Sequence, residues 1–473
     1  MARVLLLTPP WQPFHTLQVL FPNVPPLGLQ VLAGALKDRG HHATVGDVQH
    51  LPPLHDDFWR LLDSARPDVV GISNNEVANL PIVLAVARAL RARYPRLRLL
   101  AGGQVPTLRP ELFVSNGAPF DAVALYEAEL TIAPIVEALA SGTSLAEVAG
   151  VAFAGGGGRL VRTTPERNPC DLDTAPMPHW EDSLKPAAFT SGLAASVETS
   201  RGCPHDCSFC SIPDYYGRRS RYKSVDRILD ELRRLHALGV RELYFVDDSF
   251  GTRPDIALAL FQAILRERLG IRFGVQIRAD VVVRNPDLIT LGARAGMFMA
   301  VVGFEGYSRA VRVEGGKEDL ERVNLEAARI LKREGIVVYG THVFASPGTG
   351  IRDNLRTWFK GRRTADIFRM TIFTPLPGSS CHEELLRLGE IRTIDFGDYY
   401  YGVDVFRTPA RAAVVQLAYF GLLAAHYASP KTLFKLLAHR DRIIRVFHRR
   451  AYRGAVGFVS DRLLGGPWRR DVI

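Results

Sequence analysis

Cysteine is scarce in this sequence, with five residues among 473. So few thiols exclude a disulfide framework, and the clustering of three of them favours metal or redox chemistry in a reducing compartment. Long apolar runs are missing as well. The N-terminal run is broken by Pro9 and Pro10, unlike a signal peptide, and the apolar stretch 412–425 is shorter than the roughly 20 residues that span a bilayer. We therefore expect a cytoplasmic protein.

Positive charge is concentrated at one end of the chain. Residues 407–473 hold 13 Lys and Arg against 3 Asp and Glu, a difference of +10 that equals the net charge of the whole sequence. Apolar and basic residues alternate there at helical spacing, which predicts a basic, amphipathic helical region over 391–473. This region is either a solvated cap or a contact with an anionic membrane at the cytoplasmic face. No nucleic-acid recognition motif accompanies it, so we expect no nucleic-acid partner.

Strand-like and helix-like segments alternate along most of the chain. The first strand candidates are RVLLLT (3–8), DVVGIS (68–73), LRLLAGG (97–103) and DAVAL (121–125). This alternation predicts an α/β fold with a Rossmann-like, doubly wound parallel sheet over 1–145. A hairpin and a Pro-rich linker follow over 146–189. Residues 190–390 hold about six further βα units, which predicts a partial (β/α)6 barrel, because a full eight-unit barrel needs about 250 residues.

Three cysteines lie within eight positions in ETSRGCPHDCSFC, where Cys203, Cys207 and Cys210 follow the spacing C-x3-C-x2-C. A structural zinc site normally takes four ligands in two pairs, and no obvious fourth ligand stands beside these three. A [4Fe–4S] cluster held by three cysteines leaves one iron open. That open iron can bind a cofactor or a substrate.

The segment RGCPHDCSFC resembles the signature of the radical S-adenosylmethionine (SAM) enzymes, including the aromatic residue before the third cysteine. In that family SAM binds the open iron, and the reduced cluster cleaves SAM to a 5′-deoxyadenosyl radical. VDDSF (246–250), QIRAD (276–280), GFEGYS (303–308) and GTHVFASPGTG (340–350) resemble, in that order, later strand ends of the family's barrel. The resemblance implies that SAM is bound by Phe209, Asp247, Asp248, Arg278, Glu305 and Pro347.

The first 145 residues resemble the cobalamin-binding domain that precedes many radical SAM barrels. The similar segments are LLLTPP, VPPLGLQVLAGALKDRGH, DVVGIS, AGGQVPT and YEAE. The resemblance implies that cobalamin is bound by Thr8, Pro9, Ser73, Asn74, Gly102, Gly103, Gln104 and Glu127. The D-x-H-x-x-G motif that supplies a histidine to cobalt in many cobalamin proteins is absent, since Pro13 stands where Asp would precede His15. We therefore expect no histidine below the cobalt.

The two resemblances together imply a cobalamin-dependent radical SAM enzyme. It would abstract hydrogen from an unactivated carbon and transfer a methyl group from methylcobalamin to that carbon. An alternative is a cyclisation, oxidation or rearrangement without net methylation, and a second is a non-catalytic metal-binding module. The expected partners are a small-molecule or lipid-like substrate, such as a polyisoprenoid or tetrapyrrole, and an electron donor of the flavodoxin or ferredoxin type. Cys170 and Cys381 stand alone: either could be a further thiol near the active site, although single cysteines are usually inert.

Overall fold

The structure is a computed structural model, and it describes residues 1–10, 25–49, 51–115, 117–164, 167, 169–187, 192–307, 320–392, 399, 404–407, 409–439, 441–449 and 452. The described residues divide into two compact units, one ending at Leu184 and the other beginning at Lys185. The division falls within the stretch 146–189 that the sequence predicts to be a hairpin and linker.

The first unit is built on a seven-stranded sheet. Its strands are β1 (Arg3–Thr8), β2 (His42–Asp47), β3 (Val69–Ser73), β4 (Arg98–Gly102), β5 (Ala122–Ala124), β6 (Val151–Ala154) and β7 (Leu160–Arg162). The order across the sheet is β2-β1-β3-β4-β5-β6-β7, and the first five are parallel whereas β6 and β7 form an antiparallel hairpin. The helices are α1 (Leu27–Asp38), α2 (Asp56–Ala65), α3 (Leu80–Arg93), α4 (Gln104–Leu108), α5 (Glu111–Val114) and α6 (Ile132–Ser141).

The strand order reverses at β1, which has β2 on one side and β3 on the other. Leu7 of β1 pairs with Ile72 of β3, so both strands end at the same edge of the sheet. Ligands of open α/β sheets bind outside the carboxyl ends of the strands at such a point of reversal. The loops that follow β1, β3 and β4 are therefore the binding edge of this unit.

The second unit contains a curled, open sheet. Its strands are β8 (Lys185–Pro186), β9 (Leu193–Val197), β12 (Val240–Phe245), β13 (Arg272–Arg278), β14 (Met297–Glu305), β15 (Val337–Phe344) and β16 (Ile367–Ile372), and a small hairpin pairs β10 (Ser200–Arg201) with β11 (Arg221–Tyr222). From β9 to β16 six parallel strands stand side by side in chain order, and β8 is antiparallel to β9. The predicted fold class, a Rossmann-like sheet followed by a partial barrel and a helical C-terminal region, is confirmed.

Helices alternate with the barrel strands and then form the C-terminal region. They are α7 (Ile212–Tyr216), α8 (Val225–Ala237), α9 (Pro254–Glu267), α10 (Ala279–Arg284), α11 (Pro286–Ala295), α12 (Leu320–Arg333), α13 (Ile351–Thr364), α14 (Ser380–Arg387), α15 (Pro409–Tyr427), α16 (Pro430–Leu437) and α17 (442–449). In α17, Ile443, Ile444 and Phe447 are buried against Tyr339 of β15 and Ile367 of β16. This basic helix is therefore part of the core of the second unit. None of the helices in the described part of the chain is both long and apolar enough to cross a membrane.

Candidate active site

The cysteine loop connects β10 to α7, and its three thiols are half-buried. The Cys210 amide donates a hydrogen bond to the Cys207 carbonyl at 2.9 Å, which closes a tight turn between them. Gly202, directly before Cys203, has a φ of +83°, and a Cβ added there would lie 2.3 Å from the Arg219 carbonyl oxygen. Only glycine fits at this position, since any side chain would collide with the backbone that the loop passes.

The three thiols lie within electrostatic reach of one another. Burial raises the pKa of Cys210 to about 12, and negative charges on Cys207 and Cys203 oppose its ionisation further. A bound cation reverses this tendency, because a metal-coordinating thiol is deprotonated. Among the described residues, no three His, Cys, Asp or Glu side chains surround a point that suits a single metal ion. A cubane cluster takes each thiolate on a different iron, so cysteines spread along one loop fit its donor set.

Two adjacent carboxylates, Asp247 and Asp248, follow β12 and accept hydrogen bonds from the residues just before the cysteines. Asp247 is buried and accepts hydrogen bonds from the Thr199 amide at 3.1 Å, the Thr199 hydroxyl at 2.5 Å and the Ser200 hydroxyl at 2.7 Å. Asp248 accepts from the Gly202 amide at 3.0 Å. Burial raises the pKa of Asp248 to about 7, and the charge of Asp247 adds to the effect. Asp247 thus supports the strand before the loop, whereas Asp248 lies beside the loop itself.

A buried ion network lies next to the same loop. Arg201 donates to the Glu198 carboxylate at 2.8 and 2.9 Å, and Lys223 donates to Glu231 at 2.8 and 3.0 Å. The Lys223 ammonium is also 3.6 Å from Glu198, and Arg227 donates to Glu231 at 2.9 Å. Burial raises the pKa of Glu198, but the attraction of the positive charges on Arg201 and Lys223 outweighs burial, so the net effect is a lowered pKa. This network connects β10, β11 and α8, and the sequence did not predict it.

The ends of β13 and β14 hold two further predicted residues, Arg278 and Glu305. The Arg278 guanidinium donates to Asp280 at 2.9 Å. Burial opposes the charge of Arg278, but Asp280 and the nearby thiolates of Cys207 and Cys203 raise its pKa. Glu305 has a left-handed backbone with φ +53°, an uncommon conformation for a residue with a side chain. Burial raises the pKa of Glu305 to about 7, against the attraction of Arg278.

Phe209 and Cys381 pack against the same apolar cluster. Phe209 packs in a cluster with Phe373, Leu385, Phe406 and Cys381. The Cys381 amide, in the first turn of α14, donates to the Ser208 carbonyl at 2.9 Å. The cysteine loop is therefore attached to the helix after the last barrel strand. Burial raises the pKa of the Cys381 thiol.

Pro347, the remaining residue predicted to bind SAM, lies in an exposed turn after β15. The Thr349 amide closes this turn by donating to the Ser346 carbonyl at 3.1 Å. Asp248 and Arg278 are thus the predicted residues that lie beside the cysteine loop, and Glu305, at the end of the next strand, lies near Arg278.

In the first unit the predicted cobalamin loops meet at the carboxyl edge of the sheet. The Asn74 amide donates to the Gly102 carbonyl at 2.8 Å, and the Val105 amide donates to the Asn74 carbonyl at 3.1 Å. Gly103 has a φ of +100°, and a Cβ there would lie 2.9 Å from the Asn74 carbonyl oxygen. The Gln104 amide donates to the Asn75 side chain at 3.1 Å. These contacts join the loops after β3 and β4 into one platform.

The Asn74 carboxamide is completely buried, and within the described residues neither its oxygen nor its nitrogen has a hydrogen-bond partner. Beside it, a Cβ added at Gly102 would meet no atom within 4 Å. A buried amide without partners is rare in proteins. The open space over Gly102 suits the approach of a large planar ligand such as cobalamin.

For the other predicted cobalamin residues, the structure gives their burial and their contacts within the first unit. The Thr8 hydroxyl donates to Asp47 at 3.0 Å and accepts from the Val48 amide, so it is occupied by the neighbouring strand. Pro9 is buried, and Ser73 is half-buried at the end of β3. Glu127 is half-buried after Tyr126, whose amide donates to the Thr107 hydroxyl at 2.9 Å. His15 lies outside the described residues.

Two domain families match the chain. Residues 197–353 match the Radical SAM superfamily, and residues 17–136 match the B12 binding domain. The chain is 31% identical over 384 residues to a hopanoid C-3 methylase of Methylococcus capsulatus, an alignment that covers 78% of this chain and 70% of that protein. It is 29% identical over 346 residues to an anaerobic magnesium-protoporphyrin IX monomethyl ester cyclase of Synechocystis, covering 72% and 68% of the two chains.

Solved structures agree with the fold. The radical SAM methyltransferase TsrM of Kitasatospora setae, with cobalamin and a [4Fe-4S] cluster bound, matches with a TM-score of 0.70 at 17% identity. The match covers 98% of this chain and 100% of that chain. At this identity the likeness concerns the arrangement of the strands and helices.

Proposed function

The chain belongs to the radical SAM enzymes that carry a B12 binding domain, and we propose that it methylates an unactivated carbon of an apolar, lipid-like substrate. Its cofactors are a [4Fe–4S] cluster, SAM and cobalamin. When bound, the cluster and SAM supply a 5′-deoxyadenosyl radical that removes hydrogen from carbon, and cobalamin supplies the methyl group. The protein's part is to bind, orient and shield these groups.

In the second unit, Cys203, Cys207 and Cys210 hold the cluster. Gly202 lets the loop turn, and Asp248 fixes it through the Gly202 amide. The position of Asp248 and Arg278 beside these cysteines supports the cluster and SAM assignment, and the 31% identity to a hopanoid C-3 methylase is the observation that carries the proposed methylation. Arg278 keeps its charge beside the thiolates and is placed to bind an anionic group of SAM. Glu305 has its pKa raised to about 7 by burial, and its carboxyl group can form a hydrogen bond with a ribose hydroxyl.

In the first unit, the platform formed by the loops after β3 and β4 holds cobalamin. The half-buried Ser73 and Gln104 can reach polar groups of the cofactor, whereas the completely buried Asn74 shapes the platform through its backbone hydrogen bonds. Gly102 and Gly103 have no side chains, so a large planar ligand can approach the backbone of this loop closely. Thr8, whose hydroxyl is already occupied, supports the edge of the platform instead of binding the cofactor.

Two relatives support the substrate class that we propose. One is named for methylation of a hopanoid and another for a magnesium-protoporphyrin ester, and both names support a large, apolar substrate. A reductant must also deliver electrons to the cluster. We assign this role to a small electron carrier of the flavodoxin or ferredoxin type.

The proposal is tested with anaerobically reconstituted enzyme, a chemical reductant, SAM and lipid extracts as substrate source. Methyl transfer forms S-adenosylhomocysteine alongside 5′-deoxyadenosine, and label from methyl-labelled SAM enters the lipid fraction. Cys203→Ala abolishes both SAM products, whereas Cys170→Ala, which removes a cysteine of the first unit, retains them. Formation of 5′-deoxyadenosine by the Cys203→Ala enzyme would refute the cluster assignment.

A second candidate function is a radical oxidation or cyclisation, which the similarity to the magnesium-protoporphyrin cyclase favours. The same assay separates the two. Cyclisation yields 5′-deoxyadenosine without stoichiometric S-adenosylhomocysteine, and no labelled methyl group reaches the product.

A further inference from the structure

Helix α15 presents an apolar stripe to the solvent. Its exposed residues after Arg411 are Ala413, Val414, Leu417, Phe420, Gly421, Ala424 and Ala425. The Val414 and Leu417 side chains are 66% and 75% exposed, which is unusual for large aliphatic residues. Arg411 is the single Lys, Arg, Asp or Glu residue in the helix. The exposed face is thus almost free of charge along its whole length.

The orientation of α15 is set by contacts on its other face. The Tyr419 hydroxyl donates to the Met370 carbonyl of β16 at 2.9 Å, and the Trp358 indole of α13 donates to the Leu422 carbonyl at 3.1 Å. His426 is buried against Phe368 of β16. These polar and aromatic contacts hold the apolar stripe on the outside of the helix.

Helix α16 extends the apolar surface and adds positive charge to it. Phe434 and Leu437 are 58% and 68% exposed. Lys431 and Lys435 alternate with them in the sequence KTLFKLL. Basic side chains next to exposed aromatic and aliphatic ones are typical of helices that lie at a membrane surface.

The lysines of α16 belong to a larger cation cluster, which we define as Lys332, Arg362, Arg363, Lys431 and Lys435. One carboxylate, Asp366, lies among these five cations. Its oxygen is 3.1 Å from the Lys332 ammonium, and Lys435 donates to the Asp366 backbone carbonyl. Lys431 donates to the Arg362 carbonyl at 3.3 Å. Burial lowers the pKa of Lys435 to about 8, and repulsion from Lys431, Lys332 and Arg362 adds to this effect against the attraction of Asp366.

An anion bound at such a cluster lowers the repulsion between the like charges, because it pairs with the cations. We propose that α15, α16 and the cation cluster form a docking face for an anionic lipid bilayer. The apolar stripe would enter the boundary between headgroups and acyl chains, and the cations would bind lipid phosphates. The inference rests on the proposed function in one respect, because a lipid-like substrate would be collected at this face.

The bilayer is favoured over other occupants by the combination of features. An acidic protein would satisfy the cation cluster but would leave the uncharged stripe of α15 in water. A second copy of the chain would bring its own five cations toward the first set, which is unfavourable. An anionic bilayer supplies phosphates and apolar chains at the same surface.

The test is sedimentation of the full-length chain with phosphatidylcholine vesicles, with and without phosphatidylglycerol. We expect binding to the anionic vesicles, weaker binding to the neutral ones, and a loss of the difference at high salt. Leu417→Asn with Phe434→Asn should weaken binding about tenfold or more, since two large apolar side chains no longer leave water. Arg363→Glu with Lys431→Glu should weaken only the anionic preference, by about fivefold or more per residue.

Matched controls are Leu388→Asn and Arg266→Glu, which change an exposed leucine and an exposed arginine outside the docking face. Neither should alter vesicle binding. All the variants should still cleave SAM to 5′-deoxyadenosine, so a failure of docking is distinguishable from a failure of the proposed function. The proposal is overturned if the wild-type chain ignores anionic vesicles. It is also overturned if light scattering shows a dimer that Leu417→Asn with Phe434→Asn dissociates.

Discussion

Gly202 is the residue on which the position of the first cluster cysteine depends. Its φ is positive, and the 2.3 Å that would separate a Cβ from the Arg219 carbonyl oxygen leaves no room for alanine. We therefore expect Gly202→Ala to displace Cys203 and to lose most of the iron after anaerobic reconstitution. Iron content per chain and the visible iron–sulfur absorbance measure this loss.

The control for this variant is Gly239→Ala. Gly239 has a similar φ of +86°, but a Cβ there meets no atom within 4 Å. Both substitutions carry the cost of a left-handed alanine, ~1 kcal/mol, so that cost cancels in the comparison. Equal iron contents in the two variants would show that the approach to Arg219 does not matter.

The adjacent carboxylates Asp247 and Asp248 show what sequence can and cannot predict about this site. Both follow β12, so their place at the carboxyl edge of the barrel is predictable from the strand pattern. Which of them is available to a ligand is not, because it depends on Thr199 and Ser200 from a different strand. Those partners occupy Asp247 and leave Asp248 beside the loop.

The buried ion network offers a second test at the residue scale. Arg201→Met leaves Glu198 charged and buried, with only Lys223 nearby, so the free energy of unfolding should fall by ~3–5 kcal/mol. The midpoint of urea unfolding reports the change. Arg233→Met, which breaks an exposed pair with Glu267, should shift the midpoint much less. Similar shifts in both variants would mean that burial of the network adds little.

The ion network does have a signal in the sequence. In α8, Glu231 stands three positions after Ile228 and four before Leu235, so it lies on the apolar stripe of the helix. A carboxylate on such a stripe must be paired in the folded protein. Its partner Lys223, however, comes from the segment before the helix, and helical spacing could not identify it.

At the scale of elements, three buried histidines make the barrel and its C-terminal helices sensitive to acid. Burial lowers the pKa of His342 in β15 to about 4, of His426 in α15 to about 3 and of His448 in α17 to about 4. An unfolded histidine titrates near ~6.5, so between that pH and about 4 the unfolded chain binds more protons. Each histidine should therefore lower the free energy of unfolding on acidification, by up to ~1.4 kcal/mol per pH unit, whereas Asp248 and Glu305, whose pKa values burial raises to about 7, act in the opposite direction.

Urea unfolding at a series of pH values between 7 and 5 measures this slope. His426→Phe, which keeps a ring against Phe368, should reduce the slope by the contribution of one proton. Replacement of the exposed His42 by Phe should leave it unchanged. An unaltered slope in His426→Phe would contradict the assignment of acid sensitivity to this helix.

The C-terminal helices also mark a limit of prediction at this scale. Basic amphipathic helices were predictable from the spacing of Ile443, Ile444 and Phe447 among arginines, and their apolar side is buried. In α15 apolar residues surround the helix, so no face stands out in the sequence. The exposed side of α15 is decided by the contacts of Tyr419 and Trp358 with other elements.

At the scale of the whole molecule, the proposed cluster and cobalamin residues belong to different compact units. We therefore expect the two cofactors to be lost separately. Cys203→Ala should lack iron and keep bound corrinoid, whereas Gly102→Phe should keep iron and bind corrinoid at least tenfold more weakly, because its ring fills the open space above the platform. Iron assay and corrinoid absorbance of the same samples give the result. Joint loss of both cofactors in either variant would contradict it.

The cobalamin platform also bears on how much of this protein a cell would contain. A ligand that binds only the folded first unit stabilises that unit, so the chain without corrinoid is less stable than the loaded one. Ligand binding shifts the folding equilibrium by mass action, and quality-control proteases remove the unfolded fraction. The steady-state abundance of the enzyme should therefore follow the corrinoid supply of its host, through degradation and without any transcriptional control.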